Sequence, residues 1–331
     1  MIIEVYFDVV CPWTWVGKRR LEAALAVLGE AAPTVRWLPY LLDPTAPRQS
    51  ISLAENPEAE AAQLQSVPGF NVDLLKQRVA QLAGAEGLPT PVPACRVSTW
   101  AAHRLIQHAA DQGPQVQSAV VEEIMAAHFS GTDINRLDFL GAVAARFGLR
   151  PPAGAGDASH APAYLEPGFD PQDPGERATR EAYWAGRARD IASSPTFVVH
   201  GAALVGAQPV ETLVNHITSA PALPRELPDE VRRIRLAEAL LDRRDPHGCL
   251  YVLAPLRQEH DGDPNLEILT ARALLASASL RPARDKLAKL VERYPGDAYL
   301  HGLLGRALKR LGDPEAKAHL AIAGALAPDE E

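Results

Sequence analysis

The run EVYFDVVCPWTWVGKRRLEAAL, Glu4 to Leu25, decides how this chain begins to fold. Ile2 to Val10 is rich in β-branched and aromatic residues and reads as a strand buried on both faces. Leu21, Leu25 and Leu28 then fall in one row, a helical period that ends near Gly29. Cys11-Pro12-Trp13-Thr14 stands at the junction. Proline suits the first position of a helix, where its missing N–H would have had no partner. Cys11 is thereby expected at a helix N-terminus, where free N–H groups and the helix dipole favour an anion. A thiol with an ordinary pKa of ~8.5 can drop by one to several units in such a place. This argues for a reactive cysteine over a buried structural one, the commoner fate of the residue. Thiol redox pairs are spaced C-x-x-C, yet the second place here is Thr14. Its hydroxyl can donate to a thiolate and depress the pKa further.

Outward from this junction, Val35 to Leu42 (VRWLPYLL) is a second strand-like run. Strand, helix and strand with short joints form a βαβ unit, so the two strands are expected to be parallel. Pro39 predicts a bulge or the strand's end. Asp43 to Gln49 is polar and proline-containing, and the chain then reads as helical to about Ile191. The helices expected are Leu74–Ala83, Ser98–Gln112, Gln115–Phe129, Arg136–Phe147 and Gly175–Asp190, divided by Pro, Gly and Asp clusters. Residues 151–162 and 166–175 read as loops. Strand character returns at Pro195–His200, Ala202–Val205 can pair back on it, and a helix follows from Pro209 to about Ser219. The order is β-α-β, a helical interruption over about 46–191, then β-β-α, with a domain boundary at 220–230.

From 229 to 331 the chain is nearly all helix and carries a period. Ala271, Ala283, Leu287 and Pro295 occupy the small, small, apolar and proline places of a 34-residue helix-turn-helix repeat. Leu304-Gly305, Ala316, Leu320 and Pro328 repeat the pattern with one residue dropped, and Ala237, Cys249, Leu253 and Leu256 form a weaker earlier unit. The stretch resembles about three tetratricopeptide repeats, in which small residues let paired helices approach and each pair buries its apolar face on the next. Cys249 reads as packing within it.

The 331 residues suggest two domains, and 47% hydrophobic with 22% charged residues describes a globular chain with ample core material. A net charge of -8 without a basic face argues against nucleic acid. The N-terminal Met1-Ile2-Ile3-Glu4 enters a strand without a basic leader, and no apolar run approaches the ~20 residues of a membrane helix. A cytoplasmic location without membrane attachment is expected. Three cysteines, an odd number, fit no disulfide framework. VGKRR (16–20) is no phosphate loop, because Pro12 stands at the required upstream glycine. GAGDAS (154–159) lacks the third glycine of a dinucleotide site, and His103 and His108, five apart, share no helix face. No metal site and no bound cofactor are expected.

Four passages together carry a family resemblance: FDVVCPWTWVGKRRLEAAL (7–25), STWAAHRLI (98–106), SSPTFVV (193–199) and LVGAQPVETLVNHI (204–217). In this order they are similar to the DsbA-like thioredoxin-fold family, in particular its FrnE-like dithiol-disulfide isomerase branch, over about Met1 to Ser219. The resemblance implies an α/β thioredoxin fold with an inserted helical subdomain (1–220), followed by the all-α repeat domain (229–331). It further implies a cis peptide bond at Pro195 facing Cys11. Cys11, Thr14 and Pro195 would be catalytic, and Pro12, Trp13, Ser98, His103, Ser194 and Thr196 would lie on the substrate side. Taken alone, His103 on an apolar helix face reads more readily as a structural histidine, and of Trp13 and Trp15 one would wall a groove while the other is core. The family's resolving cysteine corresponds to Thr14, and Ser98 stands where many relatives have Asn. Without the second thiol, a mixed disulfide on Cys11 needs an outside low-molecular-weight thiol, or Cys95 acting as a displaced resolving group.

The expected activity is a monothiol oxidoreductase acting on a protein or peptide thiol or disulfide, with a protein or peptide partner held by the repeats. Two other readings stand beside it. One is a glutathione-type isomerase or transferase, of the kind represented by 2-hydroxychromene-2-carboxylate isomerases. The other is a non-catalytic binding scaffold.

Overall fold

The computed structural model describes residues 1–56, 72–93, 95–151, 159–164, 166, 174–222 and 227–327. Two compact units emerge: Met1–Gly186 with Asp190–Pro224, and Arg187–Arg189 with Arg225–Glu331.

The first unit is built on four strands: β1 (Ile2–Phe7), β2 (Thr34–Pro39), β5 (Thr196–Val199) and β6 (Ala202–Val205), in the order β2-β1-β5-β6. β1 pairs parallel with β2, Ile2 against Thr34 through Phe7 against Pro39, and antiparallel with β5. β5 and β6 form an antiparallel hairpin. Its turn runs through His200 and Gly201, both with positive φ (49° and 90°), where glycine lowers the cost of the left-handed turn. Ile3, Val5 and Phe7 are fully buried on one face of β1 and Tyr6 on the other. Burial of each such large apolar side chain contributes ~1.5–3 kcal/mol. The central position of β1 follows from that two-sided burial.

Helix α1 (Pro12–Leu28) supplies the crossover from β1 to β2. The strand stops at Phe7 rather than Val10, because Asp8 to Cys11 turn: the Cys11 N–H donates to the Asp8 carbonyl at 3.1 Å. β2 likewise ends at Pro39, which has no N–H to extend a ladder, rather than at Leu42. The outer edge of β2 is closed by a side chain. The Gln117 amide accepts from the Trp37 N–H (3.0 Å) and donates to the Trp37 carbonyl (2.9 Å), as a neighbouring strand would.

The insertion contains α2 (Val72–Ala85), α3 (Trp100–Ala109), α4 (Pro114–Phe129), α5 (Leu137–Arg146) and α6 (Pro174–Ala188). These match the periodic segments within a few residues. The end of the third reading tightens into a 3-10 turn over Ala110–Gln112. Two short strands escaped the sequence, β3 (Ile51–Ser52) and β4 (Cys95–Arg96), paired antiparallel; two residues are too few to show an alternation. The loops expected at 151–162 and 166–175 lie largely outside the described residues. Helix α7 (Val210–Thr218) packs on α1.

The second unit has six helices among its described residues: α8 (Asp229–Asp242), α9 (Pro246–Glu259), α10 (Pro264–Ala276), α11 (Leu280–Arg293), α12 (Ala298–Leu311) and α13 (Ala316–Leu326). Asp245, Asp263 and Asp297 cap three of them by accepting backbone N–H groups of the first turn. Ala237, Cys249, Ala271 and Ala283, all small-residue positions of the period, are fully buried.

Candidate functional site

Cys11 is the N-cap of α1, extended at φ -87° and ψ 111°, with Pro12 first in the helix. Its thiol donates to the Ser194 carbonyl at 3.2 Å. Ser194 comes from the segment that enters β5, and the Ser194–Pro195 bond is cis, as the resemblance implies. The Ser194 hydroxyl accepts the Asp8 N–H at 2.9 Å and lies 2.9 Å from the Thr14 hydroxyl. A closed set of contacts thus joins the β1–α1 turn to the β5 entry, 180 residues and more away in sequence. Gly17 permits the approach: a Cβ there would lie 3.1 Å from Pro195 Cγ and 3.3 Å from Phe197 Cζ. The Pro195 carbonyl accepts the Gly206 N–H (2.8 Å), and Arg20 donates to the Ala207 carbonyl (2.7 Å), which fastens the GAQP segment to the same helix.

The thiol itself departs from the sequence expectation. Cys11 is only 3% exposed, and burial pushes its pKa up. Hydrogen bonds from Ser194 and Thr14 work in the lowering direction, but they do not overcome burial, and the Asp8 carboxylate adds to the rise. Cys11 therefore rests as a thiol, not as the thiolate that the helix N-terminus and Thr14 were expected to produce. Desolvation of a sulfur anion costs more here than its neighbours return.

The other expected residues divide by depth. Pro12, Trp13 and Ser194 are half-buried at the site's rim, and Thr14 and Pro195 are buried behind it. Trp15 is core, stacked on Phe129 with its N–H on Glu122 at 3.0 Å. Thr196 is buried within β5 and donates to the Ser193 carbonyl at 2.8 Å. Ser98 is buried just before α3; its N–H reaches the Pro47 carbonyl at 3.0 Å and its hydroxyl accepts the Trp100 N–H at 3.4 Å. His103 is fully buried against the Phe7 ring and Asp8, so whatever it does is done from inside. Cys95, in β4, has Ser50 and Asp133 as neighbours; burial and Asp133 raise its pKa to about 11. No disulfide joins it to Cys11. Cys249 is fully buried, and burial drives it to about 12.

Asp8 was not singled out from the sequence. It is 1% exposed, and its carboxylate accepts the Leu42 N–H at 2.7 Å and lies 3.4 Å from His103 Nε2. An acid between the apolar residues Phe7 and Val9, three residues before the cysteine, was the available signal. Among the described residues, no group of three His, Cys, Asp or Glu side chains is arranged to hold a metal.

A thiol at a helix N-cap facing a cis-prolyl segment, on a β-α-β…β-β-α frame, is the architecture of a thioredoxin-type site. Residues 2–218 match the model of the DSBA-like thioredoxin domain, and the chain belongs to that family. Similar solved structures include a probable DsbA oxidoreductase of Streptomyces coelicolor, 23% identical, with 69% of this chain and 94% of that one aligned and a TM-score of 0.49. A 2-hydroxychromene-2-carboxylate isomerase is 16% identical, with 66% and 95% aligned and a TM-score of 0.44. No curated protein sequence matches the chain.

Proposed function

We propose that this protein is a monothiol oxidoreductase in which Cys11 is the single nucleophile. The observation that carries the reading is the hold on Cys11: its S–H points at the carbonyl of Ser194, the residue before cis-Pro195, while Thr14 fills the second thiol's place. Loss of the proton frees the sulfur lone pair to attack a substrate disulfide. A bond forms from Cys11 sulfur to one substrate sulfur, and the other leaves as thiolate. A low-molecular-weight thiol then attacks the mixed disulfide, giving back Cys11 and carrying the oxidation away. The Thr14 and Ser194 hydroxyls are placed to stabilise the anion between these steps. The reaction would run in the cytoplasm, where thiols are kept reduced, and the helical unit would dock a protein or peptide partner in tetratricopeptide fashion.

A second reading, a thiol-dependent isomerase or transferase, draws on the same pair of hydroxyls 2.9 Å apart, which could activate a bound glutathione instead of Cys11. Incubation of the reduced protein with glutathione disulfide, followed by mass spectrometry without reductant, separates the two. One adduct, on Cys11, abolished by Cys11→Ser and cleared only by added thiol, is the expected result. A folded protein that takes no adduct on Cys11 would refute the oxidoreductase reading. Isomerase or transferase turnover surviving Cys11→Ser would establish the second. Absence of both activities would leave a scaffold.

A further inference from the structure

On the connection from α4 to α5, and on the segment that crosses it, three side chains stand in the order nucleophile, base and orienting acid. Ser159 Oγ lies 2.8 Å from His160 Nδ1, and His160 Nε2 lies 2.8 Å from Asp133 Oδ2. A carboxylate only accepts, so Nε2 carries the ring proton. The lone pair of Nδ1 is thereby left to accept the Ser159 hydroxyl. Ser159 is exposed, whereas the side chains of His160 and Asp133 are only 13% and 16% exposed, so the hydroxyl meets solvent and the groups behind it are shielded. The backbone beneath them is pinned. The Leu137 N–H donates to the Ser159 carbonyl (3.0 Å) and the Ala161 N–H to the Asn135 carbonyl (2.9 Å), so 159–161 runs antiparallel along 135–137. The buried Asn135 amide donates to the Arg48 and Ala161 carbonyls, and the Asn135 N–H holds Asp133 Oδ1 at 3.0 Å.

We propose that Ser159 is a second nucleophile of this protein, one that takes acyl groups from activated carboxylic esters. His160 is its general base and Asp133 a positioning residue that acts through His160. The inference makes no use of Cys11. A serine hydroxyl is a weak nucleophile by itself and needs a base within hydrogen-bond reach, the base in turn held by a third group. That is the arrangement here. As the Ser159 oxygen bonds the acyl carbon, its O–H bond breaks and the proton passes to His160 Nδ1. The leaving oxygen departs with the electron pair of the broken C–O bond and takes that proton. Water then attacks the acyl-serine, His160 receives its proton, and the Ser159 oxygen recovers a proton as the acid is released. The Asp133 carboxylate faces the charge that the ring gains between these transfers. The chemistry of the surroundings limits the substrate. At the start of α5 the Leu137 N–H is taken by the Ser159 carbonyl and the Phe139 N–H by the Asp138 carboxylate (2.8 Å), so neither is left to hold an oxyanion. The acyl donor must therefore bring a leaving group that is stable as an anion, which selects aryl esters over amides.

The test is acetylation by p-nitrophenyl acetate at pH 8, carried out on the full chain with Cys11→Ser so that the thiol takes no part. Peptide mass spectrometry locates the acetyl group, and circular dichroism confirms the fold of each variant. An acetyl group on Ser159, absent after Ser159→Ala, is the expected result. His160→Gln should slow acetylation of Ser159 about 100-fold or more, the usual scale of a lost general base. Asp133→Asn should slow it about tenfold, since the ring is then free to carry its proton on either nitrogen. A second measurement needs no variant that could misfold. The ¹⁵N shifts of the His160 ring in the wild type report which nitrogen is protonated, and Nε2 is expected. An unmodified Ser159, a rate that does not change in His160→Gln, or a proton on Nδ1 of the wild-type ring overturns the proposal. An unchanged rate in Asp133→Asn removes Asp133 from it.

Discussion

Thr14 stands at the second place of the C-x-x-C spacing, with a hydroxyl that can hydrogen-bond but cannot form a disulfide. It is fully buried, and its hydroxyl lies on that of Ser194. Replacing it by Val removes that contact and a hydrogen bond that lowers the Cys11 pKa. The Thr14→Val protein should lose ~1 kcal/mol of stability in denaturant unfolding, and its Cys11 alkylation midpoint should move to higher pH. Thr14→Cys should have the opposite chemical consequence. A thiol one helical turn from Cys11 can attack the mixed disulfide from within, so glutathione adducts should stop accumulating and an internal disulfide should appear in mass spectra. Persistent adducts in the Thr14→Cys protein would mean that position 14 does not face the reacting sulfur. Because burial raises the Cys11 pKa, adduct formation in the wild type should climb with pH past ~8.5 instead of levelling off near neutrality.

At the scale of elements, the site exists because α1 can lie against the segment entering β5. The crossing leaves little room for a side chain at position 17, and Gly17 has none. Gly17→Ala improves helix propensity by up to ~1 kcal/mol. The new methyl presses on Pro195 and Phe197, both buried, where overpacking costs typically ~1–3 kcal/mol. The net expectation is a lower melting temperature together with altered Cys11 reactivity, since the methyl displaces the very segment that holds the thiol. A variant with higher stability and unchanged alkylation would show that the crossing has slack. In the helical unit Gly305 has the corresponding role, for a Cβ there would sit 2.7 Å from Leu320 Cγ. Gly305→Ala should separate α12 from α13 and destabilise that unit.

For the whole molecule, the three buried cysteines predict an alkaline weakness. Each has a folded pKa above its unfolded value, with Cys95 at about 11 and Cys249 at about 12. Their contribution is fully present below the unfolded value of ~8.5 and is lost as pH rises through the folded values. The melting temperature should therefore fall by roughly 5 °C or more between pH 8 and pH 11. Cys249→Ala should flatten the part of that decline that belongs to the helical unit. Much of this architecture was legible in the chain. The strand–Cys-Pro–helix junction, the hairpin at Thr196–Val205 and the small-residue period of the second unit all follow from local periodicity and turn chemistry, which neighbouring residues determine among themselves. The membership of the first 218 residues in a DsbA-like fold was also carried by short motifs. The state of the thiol was not. A helix N-terminus taken alone argues for a thiolate, and it was the burial of Cys11 by segments far away in sequence that reversed the sign. The Ser194 carbonyl on Cys11, the Gln117 amide on the edge of β2 and the Asp8–His103 pair under the site have the same origin. Desolvation and orphaned polar atoms are properties of what surrounds a residue, and only the tertiary packing decided what that would be.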